Sequence, residues 1–87
     1  MYRPKYVNVL GSRIEVEYTD LTKDECYGDA DPRGKKIRIH HTLEGAELRR
    51  ILRHEKMHIA IGLAGLSEWL TDEQEEAICT LVENVKL

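Results

Sequence analysis

The stretch that decides the fold is ILRHEKMHIAIG at positions 51–62, which contains the pattern HExxH from His54 to His58. Helix residues four apart lie on one face, so the imidazoles of His54 and His58 can converge on one metal ion. Glu55 then lies beside a water molecule held by that metal and can accept its proton. The pattern is typical of zinc metallopeptidases, and it predicts a helix whose histidines line a site.

The residues around the motif have the spacing of one long helix. Thr42 is the predicted N-cap, and the helix is expected to begin near Leu43 or Glu44 and to stop at Gly62 or Gly65. Its inward positions are predicted to be Leu48, Ile51, Leu52, Glu55, His58 and Ile59.

A second helix follows at the end of the sequence. Thr71 and Gln74 form a predicted capping box, which opens a helix from Asp72 to about Lys86. Trp69, just before it, is interpreted as a core residue beneath the connection between the helices. The apolar stripe expected to pack this helix consists of Ala77, Ile78, Leu81, Val82 and Val85.

The first half of the chain has the alternating pattern of strands. Segments 6–10 and 13–19 predict a hairpin with Gly11-Ser12 as its turn. Segment 20–34 is interpreted as a loop with a short strand near Tyr27, and segment 36–41 as a further strand. This order predicts one α+β domain over residues 1–87, with a small twisted, mainly antiparallel sheet of three to four strands and two helices packed on one face.

The composition of the chain indicates which kinds of partner and which cellular location to expect. The 87 residues are 33% charged and 41% hydrophobic, with a net charge of −3, so no nucleic-acid partner is expected. The sequence has no signal peptide and no membrane-spanning stretch, which predicts a cytoplasmic protein with no membrane partner. Cys26 and Cys79 lack CxxC spacing and are interpreted as buried or partly buried thiols.

A catalytic zinc site needs a third protein ligand besides the two histidines. The extended motif HExxHxxGxxH is excluded, because Ile61 and Ala64 stand at its glycine and histidine positions. The acids of the second predicted helix remain, and they are Asp72, Glu73, Glu75 and Glu76.

Helical spacing favours Glu75 among these acids. Glu75 has Ile78, Cys79 and Val82 at offsets of three, four and seven, which puts it at the margin of the apolar stripe. Glu76 is followed at the same offsets by Cys79, Thr80 and Glu83, and it is the alternative third ligand.

The sequence resembles the small HExxH metallopeptidase-like proteins of phages and prophages, a minimal gluzincin type, and more distantly the ImmA/IrrE-type peptidases. The likeness rests on the motif, on KKIRIHH at 35–41 before it and on EEAICTLVENV at 75–85 after it. It implies a zincin-like fold, one zinc ion per chain and peptide hydrolysis. It also implies a glutamate ligand followed by apolar residues as Glu75 is, although some larger zincins place theirs directly before Ala-Ile, as Glu76 stands.

The expected chemistry is hydrolysis of peptide bonds in a peptide or protein substrate by a zinc-bound water that Glu55 activates. The available side chains for stabilising the attacked carbonyl are Tyr18, Tyr27, His40 and His41. Segment 36–41 is interpreted as the edge to which an extended peptide adds, or else as an interior strand.

Two other functions fit the same residues. One is a catalytically silent binding or regulatory module of phage origin on a zincin scaffold, with a protein partner completing the cleft that so short a chain cannot wall. The other is a metal-free structural domain in which His54 and His58 are ordinary helix residues.

Overall fold

The computed structural model describes residues 2–85 of the chain. Four strands form one mixed sheet in the order β1-β2-β4-β3. The pairs β1/β2 and β3/β4 are antiparallel, and β2/β4 is parallel. The strands are β1 (Tyr6–Val9), β2 (Ser12–Thr19), β3 (Gly28–Asp31) and β4 (Lys36–His40).

The position of β4 corrects one prediction. Segment 36–41 is not the edge to which a peptide could add, because β3 pairs with β4 on the side away from β2. The alternative interpretation as an interior strand is confirmed, and β3 forms the outer edge of the sheet.

The hairpin of β1 and β2 is confirmed, with its turn one residue earlier than predicted. Leu10 and Gly11 both have positive φ, 50° and 81°, as the two-residue turns that match strand twist require. The side chain of Asn8 accepts a hydrogen bond from the Gly11 N–H at 3.0 Å, which supports this conformation.

Two helices follow the sheet: α1 (Gly45–Leu63) and α2 (Asp72–Asn84), joined through a 3-10 turn at Leu66–Glu68. The predicted capping box of Thr71 and Gln74 is confirmed, with both of its hydrogen bonds present. The predicted cap at Thr42 is wrong, because Glu44 occupies the N-cap of α1 without a side-chain bond. The predicted end of the last helix near Lys86 lies outside the described residues.

The core lies between the sheet and α1. Inward residues of the strands meet the apolar face of α1, and this layer confirms the α+β class. Neither α1 nor α2, the helices of residues 2–85, is long and apolar enough to cross a membrane. The buried cluster consists of Val9, Ile14, Val16, Ile37, Ile39, Leu43, Leu48, Leu52 and Ile59.

The second helix packs on α1 through only part of the predicted stripe, in which Ile78 and Val82 are half-buried. Its buried residues are Cys79 and Glu83, whereas Leu81 in the predicted stripe is 64% exposed and Ala77 and Val85 are also exposed. Trp69 is 82% exposed, so its interpretation as a core residue is wrong. The packed face of α2 therefore combines a buried carboxylate with apolar side chains.

Candidate metal centre

The two histidines of the motif lie one turn apart on α1 and face α2. Their ring centroids are 5.0 Å apart. Nε2 of His54 lies 2.9 Å from Oε1 of Glu76, and Nε2 of His58 lies 3.1 Å from Oε2 of the same carboxylate. One carboxylate of α2 thus spans the Nε2 atoms of both imidazoles.

The opposite ring nitrogens of the same histidines bond to two other acids. Nδ1 of His54 is 2.7 Å from Oε1 of Glu83, and Nδ1 of His58 is 2.6 Å from Oε2 of Glu75. An ionised carboxylate only accepts hydrogen bonds, so in each contact Nδ1 carries the hydrogen. A neutral imidazole of this tautomer presents the lone pair of Nε2 to the Glu76 carboxylate.

This donor set fits a metal ion. Two lone pairs and a carboxylate that face one another repel unless protons or a metal ion lie between them. Hydrogen bonds from Nδ1 to carboxylates are the usual support of metal-binding histidines. Three carboxylates surround the two imidazoles, so without a positive charge the cluster would be strongly negative. Among the described residues, His54, His58 and Glu76 are the ones that would hold the ion.

The two candidate third ligands differ in what they contact. Glu76 contacts both Nε2 atoms, whereas Glu75 accepts from Nδ1 of His58 and from the hydroxyl of Ser67 at 3.1 Å. The geometry favours Glu76, and the choice of Glu75 as ligand stays a prediction. Spacing pointed to Glu75 because α2 was assumed to pack through its most apolar face.

Glu83 is the site residue that the sequence analysis did not single out. Burial alone would raise the pKa of its carboxyl, but the hydrogen bonds from His54 and Arg50 hold that pKa below its usual range. Its position seven residues after Glu76 was the available signal, since residues seven apart share a helix face.

Glu55 borders the same cleft from the adjacent face of α1. Its side chain is buried, and this burial raises the pKa of the carboxyl from 4.5 to about 7. A Cβ placed on Gly28 would lie 3.2 Å from Cγ of Glu55. The backbone of β3 therefore passes close against this acid.

The cleft has a volume of about 270 Å³. The edge strand β3 and the turn after it form one wall, and α1 and α2 form the rest. The turn is fixed to α1, because a Cβ on Gly62 would overlap the ring of Pro32. The lining residues are Gly28, Asp29, Ala30, Pro32, His54, Glu55, His58, Glu75 and Glu76.

Cys79 is a further donor beside the two histidines. Its sulfur lies within 4.8 Å of a ring nitrogen of both His54 and His58. It is fully buried, as predicted, and burial raises the pKa of its thiol to about 12. Glu76 ranks above Cys79 as a metal ligand, because its carboxylate contacts Nε2 of both histidines directly.

The side chains considered for stabilising the attacked carbonyl lie elsewhere. The Tyr18 hydroxyl donates to the carbonyl of Pro4 at 2.7 Å. Tyr27 and His40 line a different cavity of about 360 Å³. His41 packs against His40, with ring centroids 4.8 Å apart.

Asp20, His40 and His41 form a second group of possible metal ligands. Nδ1 of His40 accepts the N–H of Leu21 at 3.0 Å, so in the neutral ring Nε2 carries the hydrogen. Neither nitrogen of that ring then offers a free lone pair. The groups that could hold a metal ion lie instead in the cleft that Glu55 and Glu76 line.

No protein-family model, curated protein or solved structure matches this chain. The function proposed below accordingly rests on the geometry of this cleft and on the sequence motif.

Proposed function

We propose that this protein is a zinc-dependent metallopeptidase that holds one zinc ion through His54, His58 and Glu76. The observation that carries the proposal is that the Nε2 atoms of both histidines converge on the carboxylate of Glu76. Two imidazoles and one carboxylate form the ligand set of known catalytic zinc sites, which keep a fourth position for water. The resemblance to small HExxH peptidases of phages implies the same kinds of ligand, two histidines and one glutamate, although there it favours Glu75 over Glu76.

Glu55 is the general base in this proposal. Zinc bound in the cleft would supply Lewis acidity to a water molecule and to the substrate carbonyl. The Glu55 carboxylate accepts the proton of that water and passes it to the nitrogen of the leaving amine. A carboxyl whose pKa lies at about 7 can accept and release a proton near neutral pH.

The shape of the cleft favours an extended peptide as the substrate. β3 is at the edge of the sheet, so its outer N–H and C=O groups are available to a further strand. Gly28 lies beside Glu55, and Pro32 lies at the far end of the same wall. A peptide pairing with β3 would run its backbone past the base and the metal ligands.

Metal analysis and single substitutions test this function. We expect the purified protein to contain one zinc per chain and to cleave an unfolded protein. Glu55→Gln is expected to keep the zinc and lose at least about 100-fold in cleavage rate, because general-base catalysis contributes that much. A wild-type protein that binds no zinc at micromolar concentration would exclude the proposal.

Three acids of α2 allow a matched test of the third ligand. Glu76→Gln is expected to abolish tight zinc binding, since it removes the charged donor between the Nε2 atoms. Glu75→Gln is expected to weaken binding only partly, because an amide oxygen can still accept from Nδ1 of His58. Glu73→Gln, on the exposed first turn, is the control and should bind zinc as the wild type does.

A catalytically silent zinc module is the second candidate, and the position of Cys79 favours it. If the Cys79 sulfur bound zinc as a fourth protein ligand, the site would be closed as structural zinc sites are. The Co²⁺-substituted protein would then show a sulfur-to-metal charge-transfer band that Cys79→Ser removes. Such a module would bind a protein partner at the cleft, and cleavage that Glu55→Gln abolishes would rule it out.

A further inference from the structure

Glu83, in the last turn of α2, is held to α1 by three side chains. Its Oε1 accepts from Nδ1 of His54 at 2.7 Å, and its Oε2 accepts from Nη1 of Arg50 at 2.6 Å. Its backbone carbonyl accepts from Nη2 of Arg53 at 2.8 Å. Both the side chain and the main chain of this residue are therefore fixed relative to α1.

These contacts determine how His54 is presented. Because Oε1 of Glu83 accepts from Nδ1, the ring orientation is set and the lone pair of Nε2 points toward Glu76. Arg50 occupies the other oxygen, so the carboxylate cannot rotate without breaking a charged hydrogen bond. The position of the guanidinium thus controls the position of the imidazole.

His58 has no equivalent support. The acid on its Nδ1 is Glu75, whose second oxygen accepts from the neutral hydroxyl of Ser67. The Glu75 side chain is also more exposed than that of Glu83, 21% against 9%. A neutral hydroxyl restrains a carboxylate less than a charged arginine hydrogen bond does.

We propose that Arg50 and Glu83 are a positioning pair that holds His54 ready for the metal, so that zinc affinity depends on an arginine that does not touch the ion. This inference rests on the proposed zinc site and adds a residue outside it. Losing such support typically lowers metal affinity 10- to 100-fold, and we expect a loss of that order.

Arg50 and Arg53 form a matched pair for the test. Both lie on α1 and both bond Glu83, but only Arg50 contacts the carboxylate. Arg50→Gln is expected to lower zinc affinity about 10- to 100-fold, and Arg50→Lys should restore part of that loss by returning the charge. Arg53→Gln should change the affinity less than about threefold, because it leaves the contact of Glu83 with His54 intact.

Two measurements give the readout. Competition with a chromophoric chelator gives the zinc affinity. Long-range ¹H–¹⁵N NMR gives the tautomer of His54, and it is recorded on the metal-free protein at a pH where the imidazoles are neutral. The wild type should show the Nδ1–H form, and Arg50→Gln should shift His54 toward Nε2–H while leaving His58 unchanged. The Arg50 side chain is 45% exposed, so this variant should fold, as circular dichroism can check.

The outcomes separate the inference from the proposed function. Arg50→Gln with wild-type zinc affinity and a wild-type His54 tautomer would overturn the positioning pair. Equal losses in Arg50→Gln and Arg53→Gln would overturn it too, since they would indicate helix packing alone. If the wild type binds no zinc, the zinc function fails, and an unchanged tautomer in metal-free Arg50→Gln would then defeat the pair independently.

Discussion

The two faces of α1 are packed by opposite means. Against the sheet, α1 buries Leu48, Leu52 and Ile59 among strand residues that are just as apolar. Against α2, it presents His54, His58 and Arg50 to acids. The first interface is held by the hydrophobic effect, which is non-directional and largely insensitive to ions and to pH.

The second interface depends on which cations are present. Within Asp72–Asn84 the buried residues are Cys79 and Glu83, and Ile78 and Val82 are half-buried, so α2 gains less from apolar burial than α1 does. Its acids need compensating positive charge, which arginine, protonated histidine or a metal ion can supply. We therefore expect the sheet and α1 to form a fixed scaffold and α2 to be the part whose attachment responds to the metal.

Zinc binding should change stability more than any substitution below, and it should stabilise mainly the interface between α1 and α2. With free zinc at about 1,000 times its dissociation constant, the folded site gains about 4 kcal/mol. Backbone amides of α2 are expected to exchange up to about 1,000-fold more slowly in hydrogen exchange, while slow amides of β2 and β4 change less. Equal slowing throughout the chain would mean that the two interfaces open together.

A cavity in the sheet interface is the reciprocal test. Leu52→Ala should lower the free energy of unfolding by about 3 kcal/mol, because Leu52 is fully buried in the core. The same loss is expected with and without zinc. Leu81→Ala is the control, since that side chain is exposed, and it should cost less than about 0.5 kcal/mol in urea denaturation.

Glu55 makes the metal-free protein sensitive to pH in a defined direction. Its folded pKa of about 7 exceeds its ordinary value of 4.5, so the stabilisation is complete below pH 4.5 and is lost as the pH rises through 7. Glu55→Gln removes this pH dependence, because an amide does not titrate in this range. The difference in unfolding free energy between the metal-free variant and the metal-free wild type should favour the variant by about 3 kcal/mol more at pH 8 than at pH 4. An identical difference at both pH values would contradict the burial of a carboxyl in the cleft.

Gly62→Ala should change stability less than the preceding substitutions at Leu52 and Glu55, and it should lower the rate of cleavage. Alanine favours the helix by about 1 kcal/mol, but its methyl overlaps the Pro32 ring and overpacking costs about 1–3 kcal/mol. A net loss of about 1 kcal/mol is expected. Because Pro32 lies on the wall beside β3, cleavage should fall by more than zinc affinity does. Zinc affinity falling as far as cleavage would show that the turn supports the metal ligands instead.

Sequence patterns located the elements but not all of their partners. The spacing of His54 and His58, the box of Thr71 and Gln74, and the alternation in the strands are local, and local patterns report on local structure. The parallel pairing of β2 with β4 is set by distant contacts, which no short window contains. Segment 36–41 was therefore recognised as a strand, while the sequence left open whether it lies at the edge or in the interior of the sheet.

The acids of α2 show why part of the site escaped prediction. Apolar spacing identifies a packed face only when packing is apolar. Here the packed face carries Glu83 and Cys79, whereas Leu81 faces solvent. A helix that packs partly through charged groups is poorly described by its apolar stripe, which is why spacing favoured Glu75 whereas the contacts with Nε2 favour Glu76.

The parallel pairing of β2 with β4 has a consequence for the order of folding. The β1–β2 hairpin and the α1–α2 pair join neighbours in the chain, but β2 and β4 meet only after segment 20–35 has closed into a loop. Loop closure costs entropy before its contacts form, and non-local strand pairing slows folding. We expect the two helices to associate early and the β3 wall to be set in the slower step that docks β4 on β2. In the presence of zinc, a full-length chain that refolds would thus assemble its metal ligands before it has a groove for substrate.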